Sequence, residues 1–336
     1  MNRFLDLEDL DDAAIAHLLA LANDVEARPA RQDLAGRVLG LVFMNPSVRT
    51  LASFQAGMAQ LGGSSFVITP GQGSWGFETR TGVVMDGIAA EHVREGMPVL
   101  AGYADAIGVR CFAGGERLDH DLSEPVLSAI AAVTPGPLIN LESAVNHPCQ
   151  ALADWKTLDD LDVPRTGRFV LSWAYHKKAL PLAVPAAALT MAARRGMAVT
   201  VLRPDGFGLP PQIMETAAQA AGFSGGSVNE TSDRAAALEG AHVLYAKSWQ
   251  SPAAYGDADA ESALREQHRD WCVGEDWFAP SASDAHFMHC LPVRRNVVVD
   301  DAVLDGPRSA VQRQANNRLH VQKAVLLEVL GKGTVT

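Results

Sequence analysis

Apolar residues recur at two spacings along this chain, and the alternation between them sets the fold class. Leu10, Ile15, Leu18, Leu19 and Leu21 fall near helical spacing and predict an amphipathic helix over Asp9 to Ala27. The run Arg37 to Phe43 predicts a buried strand, Asn45 and Pro46 stop it, and a helical pattern then runs from Ser47 to about Gly62. Strand-like SFVITP, a glycine-rich loop GQGSWG, helix-like EHVREGMPVLAGYA, strand-like AIGVRCF, helix-like EPVLSAIAAV and strand-like PLINLE follow in turn. A second set places strands at RFVLSWA, AVTVLRP, AHVLYAKS and DAHFMHCLP, with helices at Leu182 to Arg195 and Pro211 to Ala221. Alternation of this kind predicts an α/β protein with two doubly wound parallel-sheet domains flanking a cleft. The domains are expected at 1–145 and 146–314. A last helix, Asn316 to Leu330, is expected to link them and pack back on the first domain within 315–333.

Composition and charge narrow the function. The 336 residues are 48% hydrophobic and 20% charged, as in ordinary globular proteins. A net charge of -11 argues against nucleic acid as a partner, because phosphate backbones require clustered cations. The N-terminus, MNRFLDLEDLDD, is acidic where a signal peptide is basic, and no run of 18 apolar residues occurs, so no membrane contact and a cytoplasmic location are expected. Cys111, Cys149, Cys272 and Cys290 form no CxxC pair, and the spacings of His147 with Cys149 and His289 with Cys290 match no metal pattern. Neither metal nor organic cofactor is expected. No GxGxxG follows the first strand, which counts against a dinucleotide enzyme.

Ligands of open α/β sheets bind beyond the carboxyl ends of strands, so residues there carry most weight. Ser47, Val48, Arg49 and Thr50 stand at a strand-to-helix junction, where free N–H groups and the helix dipole attract an anion. An arginine in that first turn opposes the dipole and is easier to explain beside a bound phosphate; with Ser47 as a plain N-cap, Arg49 would instead face solvent. Arg110 ends the strand AIGV. His147 precedes Pro148 and is expected to cap the next helix, with Gln150 one turn in. Past the strand at MHCLPVRRN, the carbonyls of Cys290 and Leu291 could accept from an amide NH₂. Arg294, Arg295, Arg318 and Lys323 read by default as solvated charges.

Together, SVRT, HPCQ, HCLPVRRN and NRLHVQKA, in that order across nearly the whole chain, resemble the motifs of the aspartate/ornithine transcarbamylase family. The resemblance implies carbamoyl phosphate bound by Ser47, Val48, Arg49 and Thr50, with Arg110, His147 and Gln150 on the carbamoyl group and Cys290, Leu291 and Arg318 closing around it. It also implies homotrimers with shared active sites, Trp75 being supplied by a neighbouring subunit. Arg49, Thr50, Arg110 and His147 would then be the catalytic donors.

Which branch is indicated by YAKSWQSPAAYGD, which lacks the SMG of ordinary ornithine transcarbamylases, and by YAKSW, WAYHKKALPLAVP and VMDGIAAEHVRE, which look like the N-acetyl- and N-succinylornithine branch of arginine biosynthesis. By that likeness Glu142, Lys247, Cys290, Leu291 and Arg295 meet the amino-acid end of an N-acylornithine. Some branch members form a trefoil knot at the loop corresponding to Tyr175–Pro185. Ala90 stands where acetyl-type members carry Glu and succinyl-type members Pro, which points to succinyl, whereas Lys323 resembles acetyl-type members. Leu51 and Gln55 depart from the family pattern. An ornithine carbamoyltransferase, or a non-catalytic binding protein on this fold, are the competing readings.

Overall fold

The computed structural model describes residues 1–331. Its first half runs β1 (Arg3–Phe4), α1 (Asp12–Ala27), β2 (Val38–Phe43), α2 (Val48–Gln60), β3 (Ser64–Ile68), β4 (Gly76–Glu78), β5 (Ala89–His92), α3 (Val93–Ala101), β6 (Ala106–Arg110), α4 (Leu118–Leu122), α5 (Pro125–Val133), β7 (Leu138–Glu142) and α6 (Pro148–Asp160). There follow β8 (Arg168–Trp173), α7 (Ala183–Arg194), β9 (Ala198–Leu202), α8 (Pro211–Ser224), β10 (Ser227–Thr231), α9 (Arg234–Leu238), β11 (Val243–Lys247), α10 (Ala258–Glu266), β12 (His286–Met288), α11 (Asp301–Asp305) and α12 (Val311–Leu330).

The chain forms two compact units: Met1–Gly114 with Asp119–Leu152 and the residues from Arg318 onward, and Gly115–Leu118 with Ala153–Asn317. The first division therefore falls inside α6 rather than at residue 145. The second falls inside α12, whose start at Val311 precedes the expected Asn316. Residues 332 and 333 of the expected terminal segment lie outside the described residues.

In the first unit all neighbouring strands are parallel, in the order β1-β7-β6-β2-β3. The chain passes from β2 to β3 on one side, then crosses to β6 on the other, so the winding direction reverses between β2 and β6. Parallel strands covered on both faces are buried along their length and mostly apolar, as AIGVR and LINLE illustrate, with Asn140 and the terminal Arg110 and Glu142 as their polar members. Val42, Ile107, Val109 and Leu138 of this sheet pack with Val93 and Met97 of α3 and Leu127 and Ile130 of α5. Fully burying side chains of this size contributes about 1.5–3 kcal/mol each. Gly40 is tightly packed in β2, since a Cβ there would stand 2.7 Å from Ile107 Cδ1 and 2.8 Å from Phe66 and would displace those side chains.

The second unit repeats the plan, also in parallel, as β10-β9-β8-β11-β12, with its reversal between β8 and β11. Outside both sheets, β4 and β5 pair as a two-stranded ribbon. The segment EHVREGMPVLAGYA is thus a strand end followed by a helix rather than one helix: Glu91 and His92 belong to β5, and the His92 ring accepts from Arg94 N–H at 3.1 Å as the N-cap of α3. No helix of the described residues is long and apolar enough to cross a membrane.

Candidate active site

The reversal point of the first sheet gathers the residues with anion-binding chemistry. Parallel register sets Phe43 of β2 beside Arg110 of β6, and Arg110 beside Glu142 of β7, so three carboxyl ends are level. The chain leaves β2 into α2, where Ser47 is the N-cap: its Oγ accepts from Thr50 N–H at 3.3 Å and donates to Thr50 Oγ1 at 3.0 Å. Arg318 of α12 donates to the same Thr50 Oγ1 at 2.9 Å. Arg110 Nη1 donates to Glu142 Oε2, and His147 Nε2 lies 3.2 Å from that oxygen. Arg110 also stacks over Phe112, its guanidinium carbon 4.4 Å from the ring centre. His147 caps α6 through its carbonyl, which accepts from Gln150 and Ala151 N–H at 2.9 and 3.1 Å.

Electrostatically this cluster carries excess positive charge. Arg318 is fully enclosed, and burial lowers its pKa, with Arg110 and Arg49 pushing the same way against Cys149 and Glu142. Three guanidinium groups thus converge with one carboxylate. Thr50, Arg110, His147, Gln150 and Arg318 are all buried, and the Nε atoms of Arg110 and Arg318 have no protein acceptor. Buried cations are costly unless paired, so such an arrangement is built for an anionic ligand. The Cys149 thiol, pushed up to about 12 by burial, is a packing group rather than a nucleophile.

Trp75 immediately precedes β4, and Ala90 lies on its partner strand β5. Trp75 Nε1 donates to Glu91 Oε2 at 2.5 Å, Gly76 pairs with Ala89, and both Trp75 and Ala90 are exposed. Val84, Met85 and Ile88, in the loop between the two strands, are exposed as well.

The reversal point of the second sheet offers another set. Lys247 closes β11 opposite Trp173 of β8, and His176 lies three residues beyond Trp173. Arg294 Nε donates to His176 Nε2 at 3.0 Å, while His176 Nδ1 lies 3.0 Å from Lys178 O. Lys178 N–H also lies 3.1 Å from Nδ1, and a ring whose Nε2 accepts from a guanidinium carries no proton there and is neutral. Burial lowers the His176 pKa, and the charges of Arg294, Lys247 and Arg265 add to that effect. Cys290 and Leu291 follow β12; Leu291 has φ 57° and a cis bond to Pro292, and its N–H donates to His289 Nδ1 at 2.9 Å. The loop after Lys247 is braced by buried Arg265, which donates to Ser248 Oγ at 2.7 Å and Trp249 O at 2.9 Å and pairs with Glu261.

Family models match both halves: the carbamoyl-P binding domain of aspartate/ornithine carbamoyltransferases over residues 2–160 and their Asp/Orn binding domain over 184–329. The chain belongs to the aspartate/ornithine carbamoyltransferase family. Among its relatives, the N-acetylornithine carbamoyltransferase of Xanthomonas campestris pv. campestris is 40% identical over 99% of this chain and 98% of its own length. The N-succinylornithine carbamoyltransferase of Bacteroides thetaiotaomicron is 34% identical over 99% of each. A crystal structure of acetylornithine transcarbamylase complexed with acetylcitrulline superimposes with a TM-score of 0.94, at 40% identity over 98% of this chain and 99% of that one. Variants of an N-acetyl-L-ornithine transcarbamylase in which one glutamate is replaced by proline, alanine, serine or valine have been crystallised with carbamyl phosphate and N-succinyl-L-norvaline.

Several side chains have surroundings that the sequence did not indicate. Arg318 and Lys323 are buried, not solvated. Lys323 Nζ donates to Pro29 O at 2.7 Å, Gln60 Oε1 at 3.1 Å and Val25 O at 3.3 Å, so it ties the C-terminal ends of α1 and α2. Because α2 spans 13 residues, roughly 20 Å separate that end from Ser47. Glu142, expected at the amino-acid end, is engaged by Arg110 and His147. Arg295 is exposed and bonded to Asp301 and Asp305 at 2.6 to 2.8 Å. Arg294 and His176, which sequence reading left out of the site, are the pair adjoining the charge of Lys247; the position of His176 just past a strand end was the available signal. No group of three or more His, Cys, Asp or Glu among the described residues could hold a metal.

Proposed function

We propose that this chain transfers the carbamoyl group of carbamoyl phosphate to the δ-amine of an N2-acylated L-ornithine, giving the N-acylcitrulline and phosphate in arginine biosynthesis. The observation that carries the reading is the convergence of Arg49, Arg110 and Arg318 on the N-terminus of α2 with a single carboxylate between them, in a chain whose net charge is -11. That set suits a doubly charged acyl phosphate, a mixed anhydride whose carbonyl adjoins the phosphate.

In this mechanism Ser47, Val48, Arg49 and Thr50 receive the phosphate, and Arg110, His147 and Gln150 the carbamoyl group. The neutral δ-amine attacks the carbonyl carbon, a C–N bond forms, the C–O bond to phosphorus breaks, and the departing phosphate takes the amine proton. Charge grows on the carbonyl oxygen and on phosphate. Fixed donors aimed at such oxygens are each worth about 2.7 to 4 kcal/mol. Carbonyls of Cys290 and Leu291 orient the NH₂ group. Lys247 and Arg294, whose charges meet at His176, are suited to the substrate carboxylate.

For the acyl group we favour succinyl. Ala90 offers neither the charge nor the bulk of glutamate, and the crystallised glutamate-replaced relatives hold a succinyl analogue. The higher identity to an acetyl-type relative, 40% against 34%, favours acetyl as the second reading. Initial rates with N-succinylornithine, N-acetylornithine and ornithine decide it: the highest kcat/KM is expected for the succinyl compound, and a preference for free ornithine would reject the acylated branch. We also propose a homotrimer, in which a second copy covers the exposed Trp75, Val84, Met85 and Ile88. Light scattering on the purified chain should give three times the 35.7 kDa of one copy, and a monomer would refute it.

A further inference from the structure

Glu142 and His147 are joined by the turn Ser143–Asn146, and that turn has an unusual support. Its internal bonds are Ser143 N–H to Asn146 O at 2.8 Å and Ser143 Oγ to the same oxygen at 3.3 Å. Otherwise it is held from outside by the side chain of Glu124, whose Oε1 accepts from Ser143 Oγ at 2.8 Å and from Val145 N–H at 2.8 Å. Asn140 Nδ2 donates to Ser143 Oγ at 2.9 Å, and Asn146 Nδ2 to Asp6 Oδ2 at 2.8 Å. Ser143 and Ala144 are buried, so water cannot replace these partners without opening the turn.

Glu124 has φ 52° and ψ 50°, a left-handed backbone that a branched or long side chain seldom adopts, and it makes no side-chain cap to α5 even though it occupies the N-cap. A glycine or asparagine would fit that backbone better. The long acid is instead turned away from the helix it precedes and toward the 143–146 turn. Its other oxygen, Oε2, is buried with no partner, and burial raises its pKa, with nearby Asp6 adding to the effect while Ser143, Val145 and Asn146 oppose it. Strained backbone, a buried carboxyl and a bare oxygen are all unfavourable for folding alone.

We propose that Glu124 is a positioning residue for carbamoyl transfer: it fixes the 143–146 turn, and through it the placement of His147 against Glu142 and Arg110. The inference rests on the assignment of His147 to the reaction. Misplacing a reacting group by about 1 Å can cost up to roughly a hundredfold in rate. Glu124→Gly separates the two roles of the residue, because it relieves the backbone while deleting the carboxylate. Its kcat should fall about tenfold to a hundredfold, with KM for the acylornithine within about twofold, the relieved backbone offsetting only part of the stability lost with the carboxylate. Glu124→Gln retains an oxygen for both donors and should keep kcat within about threefold. The proposal is overturned by a Gly variant with wild-type kcat, by a Gln variant as slow as Gly, or by a Gly variant whose KM rises as much as its kcat falls. His147→Asn, assayed alongside, reports on the underlying assignment: if it turns over normally, the role of His147 fails whatever Glu124 does.

Discussion

Two histidines sit at the reversal points of two like-wound sheets, and their surroundings differ in sign. His147 faces the carboxylate of Glu142, which Arg110 also holds. His176 faces the guanidinium of Arg294 and feels Lys247 and Arg265 besides. Around His147, Arg110 and Arg318 are buried and fixed by bonds to the protein, so their donors are set before any ligand arrives. Of the cations that act on His176, Arg265 is already paired with Glu261. The lesson is that one fold builds two kinds of positively charged cluster: a rigid one, of the kind that would suit charge developing during a reaction, and a simpler one, of the kind a bound carboxylate would satisfy.

The sharpest way to break this contrast is to delete a donor from the rigid site. Arg49→Ala is expected to lower kcat by about a hundredfold to a thousandfold while circular dichroism and thermal melting stay as in the unaltered chain; full activity would remove the phosphate from that site. Next in size is the choice between adjacent arginines in the second unit. Arg294→Ala should raise KM for the acylornithine about tenfold or more, the usual worth of a charged hydrogen bond. Arg295→Ala should leave KM within about threefold, because its partners are Asp301 and Asp305 at the surface. A reversed order would return Arg295 to the site. Smaller again, Ala90→Glu should cut kcat/KM for N-succinylornithine about tenfold relative to N-acetylornithine, since two like charges at a few ångströms in partly wet surroundings oppose each other by roughly 1 to 4 kcal/mol. An unchanged ratio would detach Ala90 from the acyl group.

Much of the rigid site was legible in the sequence because its members are local to strand ends. A strand run, a stop at Asn45 and Pro46 and a Ser at the next helix start place Ser47 to Thr50 from periodicity alone, and Arg110 ends its strand visibly. Arg318 and Lys323 were illegible for the opposite reason. The partners that bury them, Thr50 at 268 residues' separation and Pro29 at 294, leave no trace in local pattern, so the rule that charged residues on a helix face water gave the wrong environment for both. Lys323 also loses its bearing on acyl choice, because it serves the far end of α2. Short or polar strands were missed likewise: β5 reads AAEH and β10 reads SVNET, neither of which alternates cleanly. Arg294 and Arg295 are neighbours with the same chemistry, and what tells them apart, His176 for one and the pair of aspartates in α11 for the other, is set by the fold.

The smallest expected effect tests the electrostatic half of the comparison without a substrate. His176 accepts from Arg294 at Nε2, so protonating that nitrogen removes the hydrogen bond and sets an imidazolium against a guanidinium, with Lys247 close by. Its folded pKa therefore lies below 6.5, the value it regains when unfolded. Between those two values the unfolded chain binds more protons than the folded one, so stability rises with pH through that window and is lost as pH falls from 6.5 through the folded value. Half-exposure screens the effect, and a fall in Tm of about 1 to 2 °C between pH 7 and pH 5.5 is the scale expected from this one group. Other groups titrate over the same range, so the informative quantity is the difference between the chain and its His176→Gln variant, which keeps an acceptor for Arg294 but cannot charge. The variant should lose less of its Tm on acidification. If the two fall in parallel, His176 is no more averse to a proton than a free histidine, and the positive character ascribed to the second reversal point is too strong. If the gap closes when N-succinylornithine is present in excess, a carboxylate has entered among Arg294, Lys247 and His176, and the same titration then reports ligand binding at the site whose charge it was designed to measure.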